Sequence, residues 1–405
     1  GLFEINTNVS FSGAGGRYFR NGIRGTATLS QTGAGKFYLT APGAILDGAS
    51  LKIILSAVFD LSPSSTIVPV GANVIIEGKN IANSTGTLTV NGSLDVTTIQ
   101  VSPNNSTIIS GIFKTANSKG FTGTSSSIPS GNVILNLGST IEFNANGDQS
   151  FNARGDFKNL IFSVSGSKIP SNGFTPIGTV TIKESAILDC NGKNIGDGTT
   201  STNLTMMENS RLILYTFGPN PAIGGIYNLT GGIIEFRGSN LTAQTIRNQT
   251  YQNIEVTGNN VNNSDGNIIL NNSGTCKVKD GGVFSINDNT IAGPIGTQTV
   301  IVESGCTFRC GNTRGFHGFA VTAVPKFNSS INADIENIIL QPNSTVEYSR
   351  SKPPLVDGDQ IISNTNNLVY QNLILSGTGN KTAPTGDLIV QGNLSKTGSC
   401  NFIHN

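Results

Sequence analysis

One stretch, met three times, limits what this chain can fold into. Its clearest copy begins Tyr370-Gln-Asn-Leu-Ile-Leu-Ser-Gly and runs on to Leu394. The others begin Tyr251-Gln-Asn-Ile-Glu-Val-Thr-Gly and Phe157-Lys-Asn-Leu-Ile-Phe-Ser-Val. Each reads as a strand of alternating apolar and polar residues, closed by Gly, Asn or Pro turns. An acidic-aromatic step precedes each copy: Ser139-Thr-Ile-Glu-Phe143, Gly232-Ile-Ile-Glu-Phe236 and Ser344-Thr-Val-Glu-Tyr348. Measured between Glu142, Glu235 and Glu347, the unit returns after 93 and then 112 residues. A second echo links Phe113-Lys-Thr-Ala-Asn-Ser-Lys-Gly-Phe-Thr-Gly123 to Phe308-Arg-Cys-Gly-Asn-Thr-Arg-Gly-Phe-His-Gly318.

Within each long unit, strand–turn–strand steps come every roughly 20–25 residues, the length of one solenoid rung. Short strands that cannot cover their own apolar face are satisfied by stacking on copies of themselves. The expected fold is therefore all-β, a right-handed parallel β-helix (β-solenoid) of stacked short strands. Tandem β-sandwiches are the alternative, but they predict linkers between units and none is visible. Residues 1–110 form a β-rich start. Residues 111–405 carry the three degenerate repeats, at about 139–231, 232–343 and 344–405. Composition agrees: Gly counts 50, Asn nearly matches it, Trp is absent and only 12% of residues are charged. No helical periodicity extends beyond two turns.

Net charge is +1, with no basic run, which argues against nucleic acid as a partner. No segment approaches the roughly 18–20 consecutive apolar residues of a transmembrane helix. Gly1-Leu-Phe-Glu lacks a basic n-region and a long apolar run, so no signal peptide is expected, and the chain reads as a processed protein or a fragment.

At the aromatic-x-Asn strand the chain resembles repeats in large secreted surface proteins and adhesins of Bacteroidetes bacteria. The matching residues are Ser344 to Tyr348, Tyr370 to Thr382 and Val390 to Leu394. The middle copy departs, with Val256-Thr-Gly-Asn-Asn-Val in place of the Gly-x-Lys-Thr turn; the first keeps Ser165-Gly-Ser-Lys168. The resemblance covers about residues 110–405. It implies export by type IX secretion, an extracellular or cell-surface location, and a structural or adhesive role. The C-terminal sorting domain usual in such proteins is missing, and the chain stops where another repeat ought to begin.

Chemistry is sparse. Asp189, Asp197, Asp280, Asp288, Asp357 and Asp359 mostly sit beside Gly or Asn, as turn residues do. Glu142, Glu235 and Glu347 are expected to face outward beside inward Phe or Tyr. Repetition itself argues against catalysis, because an active site is needed once. His317 and His404 are the only histidines, and His317 is expected in a surface turn. Cys190, Cys276, Cys306, Cys310 and Cys400 lack zinc-site spacing and are expected as buried thiols or an occasional disulfide. Asn-x-Ser/Thr sites such as Asn8, Asn83, Asn105, Asn203, Asn228 and Asn240 arise by chance in such a composition. No catalytic, cofactor-binding or metal site is assigned.

The expected function is that of a non-enzymatic extracellular structural protein: a cell-surface fibre subunit assembling head to tail, or an adhesin stalk. Partners are then other copies of itself, or surface glycans and other cell-surface proteins. The open ends of a solenoid motivate this. The assembly strand would be Leu2, Phe3, Glu4 and Ile5, and the opposite edge Cys400, Asn401, Phe402 and Ile403. The alternative is a polysaccharide-binding or polysaccharide-cleaving β-helix, like a tailspike or lyase, with acidic and aromatic residues clustered in a groove.

Overall fold

The computed structural model describes residues 1–61, 65–83, 86–103, 106–129, 132–196, 202–215, 223–238, 244–294, 296–318, 329–332, 334–335, 337–351 and 358–404. Among them every strand pairing is parallel; examples from the two ends of the chain are Phe3–Ile5 on Gly22–Gly25 and Asn380–Thr382 on Asn401–Ile403. Parallel pairing rules out tandem sandwiches, whose sheets are antiparallel. The chain is a β-solenoid of about 16 turns. Among the described residues no helix is long and apolar enough to cross a membrane.

Two compact units divide the chain. The first comprises Gly1–Asp189, Ile195–Ser210 and Ile223–Ile226; the second comprises Cys190–Asn194, Arg211–Ala222 and Tyr227–Asn405. Residue 110 lies inside the first, where the Ser110 N–H donates to Val90 O at 2.8 Å.

In the first unit, three strands per rung build three parallel faces. One face starts at Phe3–Ile5, the second at Val9–Phe11 and the third at Arg17–Phe19. The alternation seen in the sequence sends every second side chain inward. One inward column runs in register through Leu51, Val74, Leu94, Phe113, Ile141, Leu160, Val180 and Leu204. Each of these side chains is at most 1% exposed, which corresponds to about 1.5–3 kcal/mol of burial apiece.

The second unit repeats the plan. Its inward column Phe284, Phe308, Val346, Leu373 stays buried until it reaches Leu394, which is 48% exposed. Successive rungs are not equal in length. In-register steps range from 18 residues, Thr245 to Asn263, to 38, Val300 to Ile338. The excess is carried in loops between strands, so the columns stay aligned while the sequence spacing drifts.

Candidate functional site

The recurring signature has a physical role at each of its positions. Phe157, Tyr251 and Tyr370, the aromatic residues, are fully buried. The Asn two places on joins three rungs. Asn159 donates from Nδ2 to Ser139 O at 3.3 Å on one side and accepts at Oδ1 from Thr179 N at 3.0 Å on the other. Asn253 spans Gly232 O (2.9 Å) and Thr275 Oγ1 (2.9 Å); Asn372 spans Ser344 O (3.2 Å) and Asn393 N (3.0 Å). A carboxamide carries both a donor pair and an acceptor, so it can satisfy backbone on both sides at once.

The arrangement needs a glycine beside the amide on the next rung. A Cβ on Gly392 would stand 2.5 Å from Gln371 O and 2.6 Å from Asn372 Oδ1; one on Gly178 would stand 2.3 Å from Asn159 Oδ1. Gly392→Ala should therefore cost about 1–3 kcal/mol through overpacking, read as a lower urea midpoint. An unchanged midpoint would remove the steric account.

The repeated glutamates face outward on their strands, beside inward Phe or Tyr, yet they are covered. Glu142 and Glu235 are only 6% and 5% exposed. Lys183 Nζ lies 2.9 Å from Glu142 and Lys114 Nζ 3.7 Å. Arg211 and Arg237 each lie 2.8 Å from Glu235, which also accepts from Thr257 Oγ1 at 3.0 Å. Arg309 Nε meets Glu347 at 2.6 Å, and Ser376 Oγ donates to the same carboxylate at 2.6 Å. Long basic side chains fold over the carboxylates and cover them.

Glu235 and Glu255 stand in register on adjacent rungs, the closest approach here to the paired carboxylates of a glycosidase. Arg211 bridges them at 2.8 and 2.7 Å, and Lys279 lies 3.2 Å from Glu255. Burial pushes Glu255 up, but Arg211 and Lys279 outweigh it and hold its carboxyl below the usual range. A glycosidase needs one carboxyl held protonated as general acid, and this cationic setting opposes that.

Two lysines are the least expected feature. Lys168 and Lys381 are 0% exposed. Lys168 Nζ donates to Ala145 O, Gly147 O and Ser165 O at 2.8, 3.0 and 3.1 Å. Lys381 Nζ donates to Gly358 O, Gln360 Oε1, Thr378 O and Arg350 O at 2.7, 2.8, 3.1 and 3.3 Å. Burial pushes both ammonium groups down to about 8, while the ring of acceptors favours the charged form. Each lysine stacks in register on a buried glutamine, Gln149 or Gln360. Gln149 Nε2 donates to Thr115 O and Asn117 O at 2.9 and 2.8 Å; Gln360 Nε2 donates to Cys310 O and Asn312 O at 2.9 and 3.0 Å. Those carbonyls belong to the echo between Phe113–Gly123 and Phe308–Gly318, whose conserved shape is thereby explained. In the middle copy Asn262, also 0% exposed, takes the lysine's place.

His317 is another correction. It is 1% exposed rather than on a surface turn, because Ile331 pairs beside it. Burial pushes its imidazole down, against the carbonyls of Ile335 and Asn332. All five cysteines are buried, and burial pushes Cys276 up to about 12. Among the described residues no group of three or more His, Cys, Asp or Glu could hold a metal ion. Asp280 occupies a left-handed turn position, Asp288 pairs with Arg350 at 2.9 Å and Asp359 accepts from Asn380 N at 2.6 Å. Asp197, Asp357, Asn105 and Asn240 lie outside the described residues.

The two end faces remain. Among the described residues Phe3–Ile5 pairs only with Gly22–Gly25, and its neighbours Val9–Phe11 and Arg17–Phe19 are likewise paired on one side only. Ile5 is buried, Leu2 and Phe3 half-buried and Glu4 exposed. A groove of about 370 Å³ is lined there by Leu2, Phe3, Phe11, Phe19, Arg17 and Arg20. At the other end Cys400 is buried, Asn401 exposed, and Phe402 and Ile403 are 39% and 40% exposed. Among the described residues Asn401–Ile403 and Leu394–Lys396 are each paired on one side only. No known protein family, curated protein or solved structure matches this chain.

Proposed function

We propose that this chain is a non-enzymatic structural protein of the cell exterior, a fibre subunit whose copies stack head to tail through the end faces of their solenoid turns. The observation that carries this reading is the matched pair of open rungs. One presents the aromatic groove of Phe3, Phe11 and Phe19 with Arg17 and Arg20 at its rim. The other presents Ile389, Leu394, Phe402 and Ile403, each at least 39% exposed, beside a cavity lined by Asp387. Apolar side chains and unpaired strands of one copy meet the same on the next, and Asp387 can answer an arginine. Such a contact joins different faces of identical copies and does not close, which generates fibres. The clustered cations around every repeated glutamate support a scaffold over an enzyme.

Negative-stain electron microscopy of the purified chain tests this. Thin fibres are expected, and Phe402→Asp should leave only single particles with an unchanged circular dichroism spectrum. Dispersed particles from the unaltered chain at high concentration would overturn the reading. If deleting residues 1–10 left fibres unchanged, Leu2, Phe3, Glu4 and Ile5 would be removed from the contact.

A glycan-binding adhesin stalk is the second reading. It is favoured by Tyr18 and Tyr38, stacked 4.7 Å apart with Tyr18 69% exposed, since an open aromatic face is what a sugar ring packs on.

A further inference from the structure

A different edge opens inside the second unit. The strand Asn337–Leu340 pairs with Thr299–Val302 and with nothing on its other side among the described residues. The chain that should cover it turns away: Thr365–Asn367 makes a tight turn in which Asn366 and Asn367 are left-handed, at φ 57° and 55°. Two consecutive non-glycine residues in that region are a local cost borne by the fold. The result is a cleft of about 390 Å³, with Ile338, Ile339 and Leu340 on one wall and Asn366, Leu368 and Gln371 among the residues opposite.

The alternation of a parallel ladder decides which backbone groups face this cleft. The Gln341 N–H donates to Val302 O at 3.0 Å, so residues 337, 339 and 341 bond toward the covered side. The N–H and C=O groups of Ile338 and Leu340 therefore point into the cleft. Their side chains continue the buried columns of Val300 and Val302, but are only half-buried themselves. Among the described residues no charged side chain lines the cleft, and His317, which does, has an Nε2 without a partner.

The geometry points to a docking slot for an extended, uncharged peptide with aliphatic side chains at alternate positions, which adds as a parallel strand to Asn337–Leu340. Two donors and two acceptors at strand spacing give the backbone its partners, and the truncated columns give pockets for its side chains. The occupant best matched to the slot copies the strand on the covered side of Asn337–Leu340.

A terminally blocked peptide with the sequence of residues 298–302 is the probe. Hydrogen exchange on the full chain should show the Ile338 and Leu340 amides slowed by roughly tenfold or more with the probe. Ile339 and Gln341, already bonded, should not change. Ile338→Pro removes an N–H on the open side only, so it should abolish probe binding while keeping the fold. Protection without alternation, no protection, or binding retained in Ile338→Pro would overturn the proposal. So would competition by a neutral oligosaccharide such as cellohexaose, which would make the slot a sugar site. The alternating pattern is read on the unaltered chain, so the test survives a variant that fails to fold.

Discussion

Replacing Lys381 by Met should lower the unfolding free energy of the second unit by about 3–5 kcal/mol, the usual result of removing one partner from a buried polar cluster. Four oxygens, Arg350 O, Gly358 O, Gln360 Oε1 and Thr378 O, now converge on one ammonium. Met fills the volume of the aliphatic stem and donates nothing. Lys381 is 0% exposed and Gln360 1%, so water cannot take the donor's place at Gln360 without opening the corner. Lys168→Met should act likewise in the first unit, with three carbonyls stranded. Urea denaturation monitored by circular dichroism is the measurement. A loss under about 1 kcal/mol in both variants, the level of an ordinary exposed contact, would show that these lysines are not the donors that close the corner.

The second large effect concerns Arg211. With Arg211→Met, Glu235 and Glu255 keep their register but lose the guanidinium at 2.8 and 2.7 Å between them. Arg237 and Lys279 remain, and Arg211 is itself 24% exposed at its side chain. The cost at neutral pH should fall between that of an exposed and a fully buried pair, about 2–3 kcal/mol.

The pH dependence follows from the sign of the shift. Glu255 is held lower in the folded chain than its ordinary 4.5, so the unfolded chain binds more protons just below that pH. Stability from this site is complete above about 4.5 and is lost as pH falls through the lowered folded value. In Arg211→Met the main cause of the lowering is gone. The gap between variant and unaltered chain should therefore narrow as pH drops toward 4 and below. A gap that stayed constant from pH 7 to pH 4 would mean that Arg211 acts through packing alone. Glu142, also held low by Lys183 and Lys114 against its burial, should give the first unit a similar acid limb.

Much of the architecture was legible in the sequence because it is encoded locally. Alternation in Asn372–Leu375 or Thr140–Phe143 says which side chains go inward, and a rung too thin to bury them says that rungs must stack. The aromatic-x-Asn signature was visible as a phase marker. Its Asn reads in sequence as one strand position among others, whereas in the fold it is a two-sided bridge, because its partners lie about 20 residues away on either side. His317 was misplaced, and the cover over the outward Glu142 was missed, for the same reason. Exposure is set by what lies on the neighbouring rung, here Ile331 beside His317 and Lys183 over Glu142, and not by flanking residues.

The opening repeat by itself determined an all-β chain of stacked, parallel, inward-alternating strands, since periodicity and turn chemistry are properties of short segments. Only the tertiary structure decided that Lys168 and Lys381 sit inside on a ring of oxygens, that Arg211 joins two glutamates, and that Asn337–Leu340 has no strand on one side among the described residues. Each of those depends on the register between rungs 18 to 38 residues apart. Loops of unequal length set that register, and the sequence pattern repeats through them without counting their residues.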